Sequence, residues 1–410
     1  MPVKLTTIPG PSLRPSPPKP LRWLIVLLGL TAAGILLMRF LGKVLGNTEF
    51  WWFAIGIPVV FWLVLMGFRL AIYLIQQIQA NAWDRRREQV ILQEVRRGRR
   101  ALQILAAECS TAHDSDLQFT EIVDALLRND NKIIPQTAWN RESSVRHSRL
   151  PVTEGLSPEA HLLTVFSALL ENLADPLFLL PPDNTVAILL ESSSSVPRPR
   201  VQALWQQAWQ ESDICQPTTL LSGVGLSVID HWLDHRIKDN ALLLVVAVQI
   251  APEQPEMTGE AVVGLLFANR LTQKVLTPLA LLHRPESTPP QQETLQAGVL
   301  QAADWVPLPP NVIQHLWLAG LFAKSEGYRS AIGVQGKAPL ARITPGPDVH
   351  NFNEFLGYPG CAAPWLAIAA AAQAIGHSAV PHMILSCEQG SDTVWSTVVS
   401  PYASRKENET

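Results

Sequence analysis

Two long apolar stretches near the start of the chain constrain its fold most strongly. Residues 21–40 read LRWLIVLLGLTAAGILLMRF, and residues 50–70 read FWWFAIGIPVVFWLVLMGFRL. Each has about 20 residues, the length that a helix rising about 1.5 Å per residue needs to cross about 30 Å of hydrocarbon. A cleaved signal peptide fits the first stretch poorly, because the run is too long and a second one follows closely. The pattern predicts a two-helix transmembrane hairpin over residues 21–78.

The distribution of Lys and Arg predicts how the hairpin is oriented. Positive charge marks the cytoplasmic side of a membrane protein. The first 20 residues carry Lys4, Arg14 and Lys19, whereas the connection between the stretches carries only Lys43, which Glu49 opposes. Seven arginines follow the second stretch: Arg85, Arg86, Arg87, Arg96, Arg97, Arg99 and Arg100. Both termini are therefore predicted to be cytoplasmic, in a multi-pass protein of a bacterial inner membrane.

The arginines after the second stretch allow two interpretations. The apolar pattern continues without a helix breaker into an Arg-rich helical pattern as far as about Ala107. Such a helix would contact anionic lipid headgroups through its arginines. The simpler alternative is that they act only as the topology signal. Residues 79–155 are predicted as this juxtamembrane helix and a linker, and the Pro-rich residues 1–20 as a disordered arm.

Charge separates this N-terminal segment from the rest of the chain. Residues 1–100 carry 14 Lys/Arg and 4 Asp/Glu, a balance of +10, whereas the remainder carries 18 and 31, a balance of −13. Nucleic-acid binding requires a basic face, so the acidic remainder argues against it.

From residue 156 onward the pattern alternates between helices and short apolar strands. Helical periodicity is predicted over Ala160–Leu173, Arg200–Gln210, Leu226–Arg236, Leu295–Ala302, Val312–Lys324 and Cys361–Ile375. Strands are predicted over Thr185–Glu191, Ala241–Ile250, Gly259–Phe267, Leu276–Leu282, Ser330–Val334, Met383–Cys387 and Thr393–Val399. This alternation indicates an α/β fold around a mainly parallel sheet. Two segments of similar order, 156–285 and 286–402, indicate a duplicated domain, followed by a tail over 403–410.

Cysteine and histidine spacing indicates no metal site. Cys109, Cys215, Cys361 and Cys387 form no CxxC motif, and the histidines form no HExxH motif. Reduced, buried thiols in a cytoplasmic domain are expected. No cofactor is predicted.

Several segments resemble the thiolase and β-ketoacyl synthase superfamily, whose core is a duplicated α/β unit. The run from Ser222 to Ile229, SGVGLSVI, is similar to the C-x-x-G-L-x-A-I elbow of that family. ALLLVVAVQ at 241–249 and GEAVVGLLF at 259–267 follow in the family's order. Leu356–Ala363, LGYPGCAA, resembles its L-G-H-x-x-G-A-A segment, and Leu385–Val399 resembles its turn between closing strands. The resemblance implies two thiolase-like halves within residues 156–402.

The departures from the family pattern bear on function. In the family a Cys at the elbow is the nucleophile and two His residues assist it. Ser222 stands at the Cys position and is the one weak catalytic candidate, its alternative role being a helix N-cap. Tyr358 replaces a His, no H-G-T-like motif appears between the halves, and His315 and His350 lie in other contexts.

Two cysteines near the resembled motifs also need placing. Cys361 lies beside the second Gly of its segment and is expected to be a packing residue. Cys387 lies near the position of a second reactive Cys in thiolases, but Glu388 beside it should raise the pKa of its thiol. A thiolase-like scaffold without catalytic groups, and hence not an enzyme, is the simplest interpretation.

The whole layout resembles accessory proteins of bacterial type VI secretion, in particular the lipase-adapter type. That likeness rests on the architecture and on the stretch NAWDRRREQ…RRGRRAL at 81–102. It implies a membrane-anchored adaptor that presents its domain to a protein partner, a secretion effector or a component of the secretion machine. The expected partners are the lipid bilayer through residues 21–78 and this protein, with homo-oligomerisation left open.

Two other functions remain as alternatives. The first is a membrane-bound acyltransferase or thioesterase with Ser222 as nucleophile. The second, a sensor of a periplasmic signal, is weakened by the short connection between the two stretches, which is too small to form a binding domain.

Overall fold

A computed structural model describes residues 3, 5–41, 47–117, 119, 122–139, 144–152, 155–307, 312–388 and 390–402 of the chain. It divides into two compact units, one formed by Lys4–Val95 and the other by Arg96–Thr410 with Met1–Val3. The predictions made for Lys43 and for the tail at 403–410 fall outside the described residues.

The N-terminal unit is helical. Its helices are α1 (Pro20–Leu41), α2 (Asn47–Trp51) and α3 (Ile57–Gly98), with a π-helical turn at Trp52–Gly56. Two helical stretches are long and apolar enough to cross a membrane, and neither is buried within the protein. The helices contact each other where the Trp62 indole donates a hydrogen bond of 2.8 Å to the carbonyl of Trp23. The two predicted helices are therefore present, with apolar side chains facing outward.

Helix α3 continues far beyond the length of one membrane span. Its 42 residues extend about 63 Å at about 1.5 Å per residue, twice the thickness of the hydrocarbon core. The uninterrupted helix predicted after the second apolar stretch is present, but it ends at Gly98 and not near Ala107.

Residues 5–19 of the Pro-rich arm, for which disorder is predicted, contact α3. The Arg87 guanidinium donates 2.7 Å to the carbonyl of Pro9, and the Ser12 N–H donates 3.0 Å to Asp84. Pro-rich backbone lacks N–H groups and leaves its carbonyls unpaired, and side chains of α3 satisfy them. The arm thus lies along α3 in the antiparallel direction.

The first half of the α/β unit contains five strands of the main sheet. They are β1 (Ala101–Thr111), β4 (Val186–Ser193), β5 (Thr218–Leu220), β6 (Leu242–Gln249) and β7 (Ala261–Asn269). Their order across the sheet is β5-β4-β6-β7-β1, and β7 is antiparallel to the other four. The helices of this half are α4 (Val123–Leu127), α5 (Pro158–Phe178), α6 (Arg198–Glu211) and α7 (Ser227–His235). A separate hairpin pairs β2 (Ile134–Thr137) with β3 (Ser144–His147).

The second half repeats this topology. Its strands are β8 (Ala280–His283), β10 (His315–Ala319), β11 (Val349–Asn351), β12 (His382–Cys387) and β13 (Val394–Pro401), with β9 (Glu286–Thr288) added beside β13. The order is β11-β10-β12-β13-β8, and β13 is antiparallel to the rest. The helices are α8 (Gln292–Asp304), α9 (Glu326–Val334), α10 (Phe352–Phe355) and α11 (Ala363–His377). If the five main strands of each half are numbered along the chain, both halves have the same order across the sheet: third, second, fourth, fifth, first.

The first strands of the halves, β1 and β8, pair in antiparallel register with Leu102 opposite Leu282. The predicted boundaries are therefore displaced. The folded unit begins at Arg96 and not at 156, since β1 is an internal strand of the sheet. The strand predicted to end the first half opens the second, because its apolar residues pair with β1 and β13.

Two neighbouring predictions in the second half are wrong. Residues predicted as a helix over Val312–Lys324 contain β10, and residues predicted as a strand over Ser330–Val334 belong to α9. A short apolar run fits either element on periodicity alone. The Ser325 side chain decides the second case, because it accepts a hydrogen bond from the N–H of Tyr328 and begins α9.

Alternate side chains of the strands enter different cores, which gives five layers. In β6, Leu243, Val245 and Ala247 face a central core that also contains α7 and α11. Their neighbours face an outer core with α5 and α6. In β10, Trp317 faces the central core and Leu316 an outer core with α8 and α9. Helices α7 and α11 therefore lie between the two halves of the sheet.

A buried arginine fixes α7 to the second half. Arg284, which follows β8, is fully buried and donates to Asp230 and, at 2.6 Å, to Asp234. Arg97 also pairs with Asp234, and Arg100 donates 2.8 Å to the carbonyl of Leu233. Although burial raises it, hydrogen bonds from Arg97 and Arg284 hold the pKa of Asp234 well below its usual range.

This network removes two residues from the predicted lipid-contact set. Arg97 and Arg100 pair with α7 of the α/β unit, so they are not free for headgroups. The Asp234 carboxylate and the carbonyl of Leu233, both on α7, accept from these guanidinium groups. Arg85, Arg86, Arg96 and Arg99 are exposed, and Arg87 is partly exposed, so the prediction of lipid contact remains for these five.

Replacing Arg284 by Met should destabilise the protein by about 3–5 kcal/mol, because the change leaves Asp230 and Asp234 buried without their shared cation. Arg128→Met is the matched control, since Arg128 pairs with Asp130 at the surface and should cost at most about 1 kcal/mol. Urea unfolding of the detergent-solubilised full chain measures both changes. Equal costs for the two variants would contradict a structural role for the buried pair.

Candidate functional site

The turn that leads from β5 into α7 is the elbow that resembles the family's nucleophile position. Ser222 in this turn is exposed and forms no hydrogen bond with any described residue. Helix α7 begins at Ser227, and its N-cap is Leu226, without a side-chain cap. Ser222 is therefore not an N-cap, because the chain makes four more residues of turn before the helix starts.

Two glutamates occupy the polar side of the elbow. Glu191 lies near the carboxyl end of β4 and accepts a hydrogen bond of 2.5 Å from the N–H of Gly225. Glu388 follows β12 in the second half and accepts one of 3.1 Å from the N–H of Leu226. The other oxygen of Glu191 accepts 2.9 Å from the Trp365 indole on α11. Carboxylates from both halves thus meet at the start of α7.

The two glutamates lie at the helix N-terminus, whose N–H groups activate the nucleophile in the resembled family. The free N–H groups at a helix N-terminus favour negative charge and lower the pKa of a thiol placed there. Here Glu191 and Glu388 bind N–H groups at that end. Burial raises the pKa of both carboxyl groups, and the charge of Glu191 adds to the effect on Glu388. An oxyanion or thiolate at this position would meet two carboxylates in place of free donors.

Gly225 is required where the elbow meets Glu388. Its φ of +59° is favourable only for residues without a Cβ, and a Cβ at this position would overlap the Glu388 carboxylate. Glycine at position 225 of the elbow motif therefore allows the two halves to approach closely.

The segment Leu356–Ala363 packs against the strand ends of the first half. Its Gly360, at φ +58°, leaves room for the Gln249 side chain, whose amide donates 2.8 Å to the carbonyl of Gly259. The N–H of Cys361 donates 3.0 Å to Ser193, and burial raises the pKa of the Cys361 thiol to about 12. Cys361 is thus held as a neutral thiol, in keeping with the packing role expected for it.

The other cysteines are placed differently from one another. Burial, then Asp392 and Glu388, raise the pKa of Cys387 to about 11, in the direction predicted from Glu388. Cys109 is buried, whereas Cys215 is exposed and Cys387 only partly buried. The expectation that all four thiols are buried is therefore wrong, because Cys215 lies in a surface turn after α6.

The histidines of the second half lie at the opposite end of the strands. His315 and His382 are the first residues of the parallel strands β10 and β12, so they lie at the amino ends and the elbow at the carboxyl ends. His315 contacts His350 at 3.1 Å, and the Trp317 indole donates 3.0 Å to His382. Burial, reinforced by the neighbouring rings, lowers the pKa of His350 and of His382 to about 3. These histidines form a buried structural cluster away from Ser222.

Two cavities open beside the elbow. The smaller, about 210 Å³, is lined by Glu191, Ser192, Ser193, Val224, Gly225, Cys361, Pro364 and Glu388. The larger, about 1010 Å³, runs between the strand ends of the two halves and contains Tyr358, the residue at the family's His position. Neither cavity is lined by Ser222 or by a histidine among the residues that the structure describes. Neither cavity therefore brings Ser222 together with a histidine among the described residues.

No group of three or more His, Cys, Asp or Glu side chains in the described part of the chain is arranged to hold a metal ion. Tyr358, whose phenol pKa is raised above its usual range by burial, has its ring 4.7 Å from that of Phe322.

No protein-family model and no curated protein matches the chain. Solved structures do. The ishigamide ketosynthase/chain length factor is 14% identical, with 74% of this chain and 100% of that chain covered and a TM-score of 0.55. The Xenorhabdus doucetiae ketosynthase ApeO in complex with its chain length factor ApeC is 12% identical, with 74% of this chain and 98% of that chain covered and a TM-score of 0.47. Human mitochondrial 3-ketoacyl-CoA thiolase is 9% identical, with 75% of this chain and 99% of that chain covered and a TM-score of 0.45. The likeness to the first shows that the α/β unit has a thiolase/ketosynthase-like fold, and fold alone assigns no activity.

The two glutamates are the site residues that sequence reasoning missed. Glu191 ends the predicted strand TVAILLE, and for Glu388 the sequence indicates only an effect on the pKa of Cys387. A carboxylate at the end of an otherwise apolar strand is a signal for a buried polar role, but its partner lies almost 200 residues away in the chain.

The close approach at the elbow can be tested by a double-mutant cycle. Gly225→Ala should cost about 2 kcal/mol or more, since it adds an overlap with Glu388 to the strain of positive φ. Gly336→Ala is the control, because Gly336 has φ +77° and no neighbour within 4 Å of a Cβ, and should cost about 1 kcal/mol. Gly225→Ala combined with Glu388→Ala should destabilise by less than the sum of the single changes, and strict additivity would contradict the contact.

The buried histidine cluster predicts acid sensitivity. The unfolded chain takes up protons near pH 6.5, whereas folded His350 and His382 do not until about pH 3. The unfolded state therefore binds more protons between these values, so stability falls as pH drops below about 6.5, by about 1.4 kcal/mol per unit for each histidine. His382→Gln should reduce this slope in chemical unfolding of the full chain, whereas exposed His231→Gln should not. An unchanged slope in His382→Gln would refute the assignment.

Proposed function

We propose that the protein is a non-catalytic adaptor, anchored in a bacterial inner membrane, that presents its thiolase-like domain to a protein partner in the cytoplasm. The observation that carries the proposal is the occupation of the elbow by Glu191 and Glu388. Carboxylates bound to the N–H groups of Gly225 and Leu226 occupy donors that could otherwise stabilise an oxyanion.

The candidate nucleophile supports the same interpretation. A serine hydroxyl attacks an acyl group only when an adjacent base takes its proton. Ser222 is exposed, without a hydrogen-bonding partner among the described side chains, and the nearest thiols, Cys361 and Cys387, have raised pKa values. An acyltransferase or thioesterase reaction has no activated group at this site.

The N-terminal unit supports anchoring. Two helices are long and apolar enough to cross a bilayer, and the Lys/Arg distribution favours cytoplasmic termini. Contacts of Pro9 and Ser12 with Arg87 and Asp84 support the proposal that the arm and the end of α3 lie on the same side of the membrane. This agrees with a hairpin whose two ends share one compartment.

The finer proposal is that the partner is a type VI secretion effector or a component of that machine. It rests on the likeness of the layout, a membrane hairpin, an Arg-rich helix and a thiolase-like domain, to adaptors of that system. The acidic balance of residues 101–410 suits a partner with a cationic surface.

The non-catalytic role predicts that thiols and Ser222 are dispensable. Full-length protein carrying Ser222→Ala, Cys361→Ala and Cys387→Ala should retain its protein partner in amounts within about twofold of the wild type. Co-purification from detergent-solubilised membranes of the native host, with mass spectrometry of the retained protein, measures this. Gly225→Ala, which distorts the elbow, is the variant expected to lose partner.

Covalent probes test the enzymatic alternative. A serine-directed fluorophosphonate and a thiol-directed probe should leave the protein unlabelled in a Cys215→Ala background, which removes the exposed thiol. Labelling at Ser222 together with loss of the function in Ser222→Ala would overturn the proposal. A retained partner that is neither a secreted effector nor a secretion component would remove the type VI part alone.

A further inference from the structure

We infer that the larger cavity is a binding groove for an extended, arginine- or lysine-bearing segment of a partner protein. The inference deepens the proposed adaptor function and rests on it. The groove lies at the carboxyl ends of strands from both halves, with Ser193 and Gln249 on one side and Phe322 and Asn351 on the other. Ligands of open α/β sheets bind at these strand ends.

The groove carries three carboxylates and no cation. Glu253, Glu256 and Glu354 are exposed members of its lining, and none of them forms an ion pair with a described residue. No Lys or Arg belongs to the lining in the described ranges. Like charges that line a concave surface focus a negative potential and attract cationic partners.

The same charges exclude the ligand that the fold would suggest. An acyl-CoA carries several phosphate charges, which need cationic or N–H donors. The groove offers carboxylates, and the N–H groups of Gly225 and Leu226 before α7 are already bound by Glu191 and Glu388. A cationic protein segment can pair with the carboxylates of the groove, whereas an anionic cofactor cannot.

An aromatic surface lies beside the carboxylates. Phe322 is 52% exposed and its ring packs at 4.7 Å against Tyr358, while Met257 is 44% exposed. An arginine guanidinium stacks on such rings while it pairs with a carboxylate. The lining otherwise consists mostly of polar side chains, and the volume of about 1010 Å³ lies at the upper limit of small-molecule pockets, which are mainly apolar. Both features favour a peptide over a small ligand.

Peptide binding tests the groove directly. The probe is a fluorescein-labelled nine-residue peptide with three arginines separated by leucine and serine, and its control has glutamate in place of arginine. Fluorescence anisotropy with the detergent-solubilised full chain should detect binding of the arginine peptide alone. Raising salt from about 50 to about 300 mM should weaken it. Equal binding of both peptides overturns the inference.

Matched variants locate the binding. Glu253→Gln, Glu256→Gln and Glu354→Gln together should weaken the arginine peptide about tenfold or more. Gln at 354 can still accept the hydrogen bonds from Tyr328 and Asn351. Glu171→Gln, Glu211→Gln and Glu293→Gln, three exposed helical glutamates outside the groove, make the same change in charge and should alter affinity less than twofold. Equal losses in the two triple variants would show attraction to overall charge and overturn the groove.

The aromatic contribution has its own pair of variants. Phe322→Ala should weaken the peptide about threefold, whereas Phe178→Ala, at an exposed position at the end of α5, should have no effect.

The outcomes separate this inference from the proposed adaptor function. If the groove triple variant retains the partner in the same amount as the wild type, the groove is not the binding site, while the adaptor function still stands. Specific peptide binding with no protein retained from native membranes contradicts the adaptor role and leaves the groove.

Discussion

The antiparallel pairing of β1 with β8 is the constraint on which the rest of the α/β unit depends. It joins two halves of identical strand order into one sheet and places α7 and α11 between them. Because the halves are fixed in this way, residues far apart in sequence meet at the elbow, Glu191 from the first half and Glu388 from the second. The buried Arg284, paired with two carboxylates of α7, holds that helix against the second half.

On the proposal of a non-catalytic role, the elbow keeps the geometry of a thiolase-like scaffold while side chains of the protein itself bind its donors. Gly225 and Gly360 have positive φ, and side chains from the opposite half occupy the space that a Cβ would need at each position. The donors at the start of α7 remain, but carboxylates of the protein itself bind them. Glu191 and Glu388 therefore line the smaller cavity at the elbow, and the acidic groove between the halves is the surface that we propose for a protein segment.

Much of the architecture could be predicted from the sequence, because it depends on local pattern. Fully apolar runs such as ALLLVVAVQI gave the buried strands, and the SGVGLSVI and LGYPGCAA segments indicated the fold and its duplication. The predictions failed where pairing decides the outcome. β1 follows directly on an Arg-rich helix, so its sequence pattern predicts a continuation of that helix. HLWLA in β10 is too short for periodicity to separate strand from helix. The sequence does not predict that the two glutamates lie at one site, since each binds a different N–H group of the elbow only after both halves have folded together.

The measurement that tests the central claim most directly is the intact mass of the detergent-solubilised protein after incubation with an excess of acyl-CoA. An elbow occupied by Glu191 and Glu388, with Ser222 exposed and without a base, predicts an unchanged mass and no release of free CoA. A mass increase equal to one acyl group, located at Ser222 by peptide mapping and absent in Ser222→Ala, would contradict the account and identify the protein as an acyl-transferring enzyme.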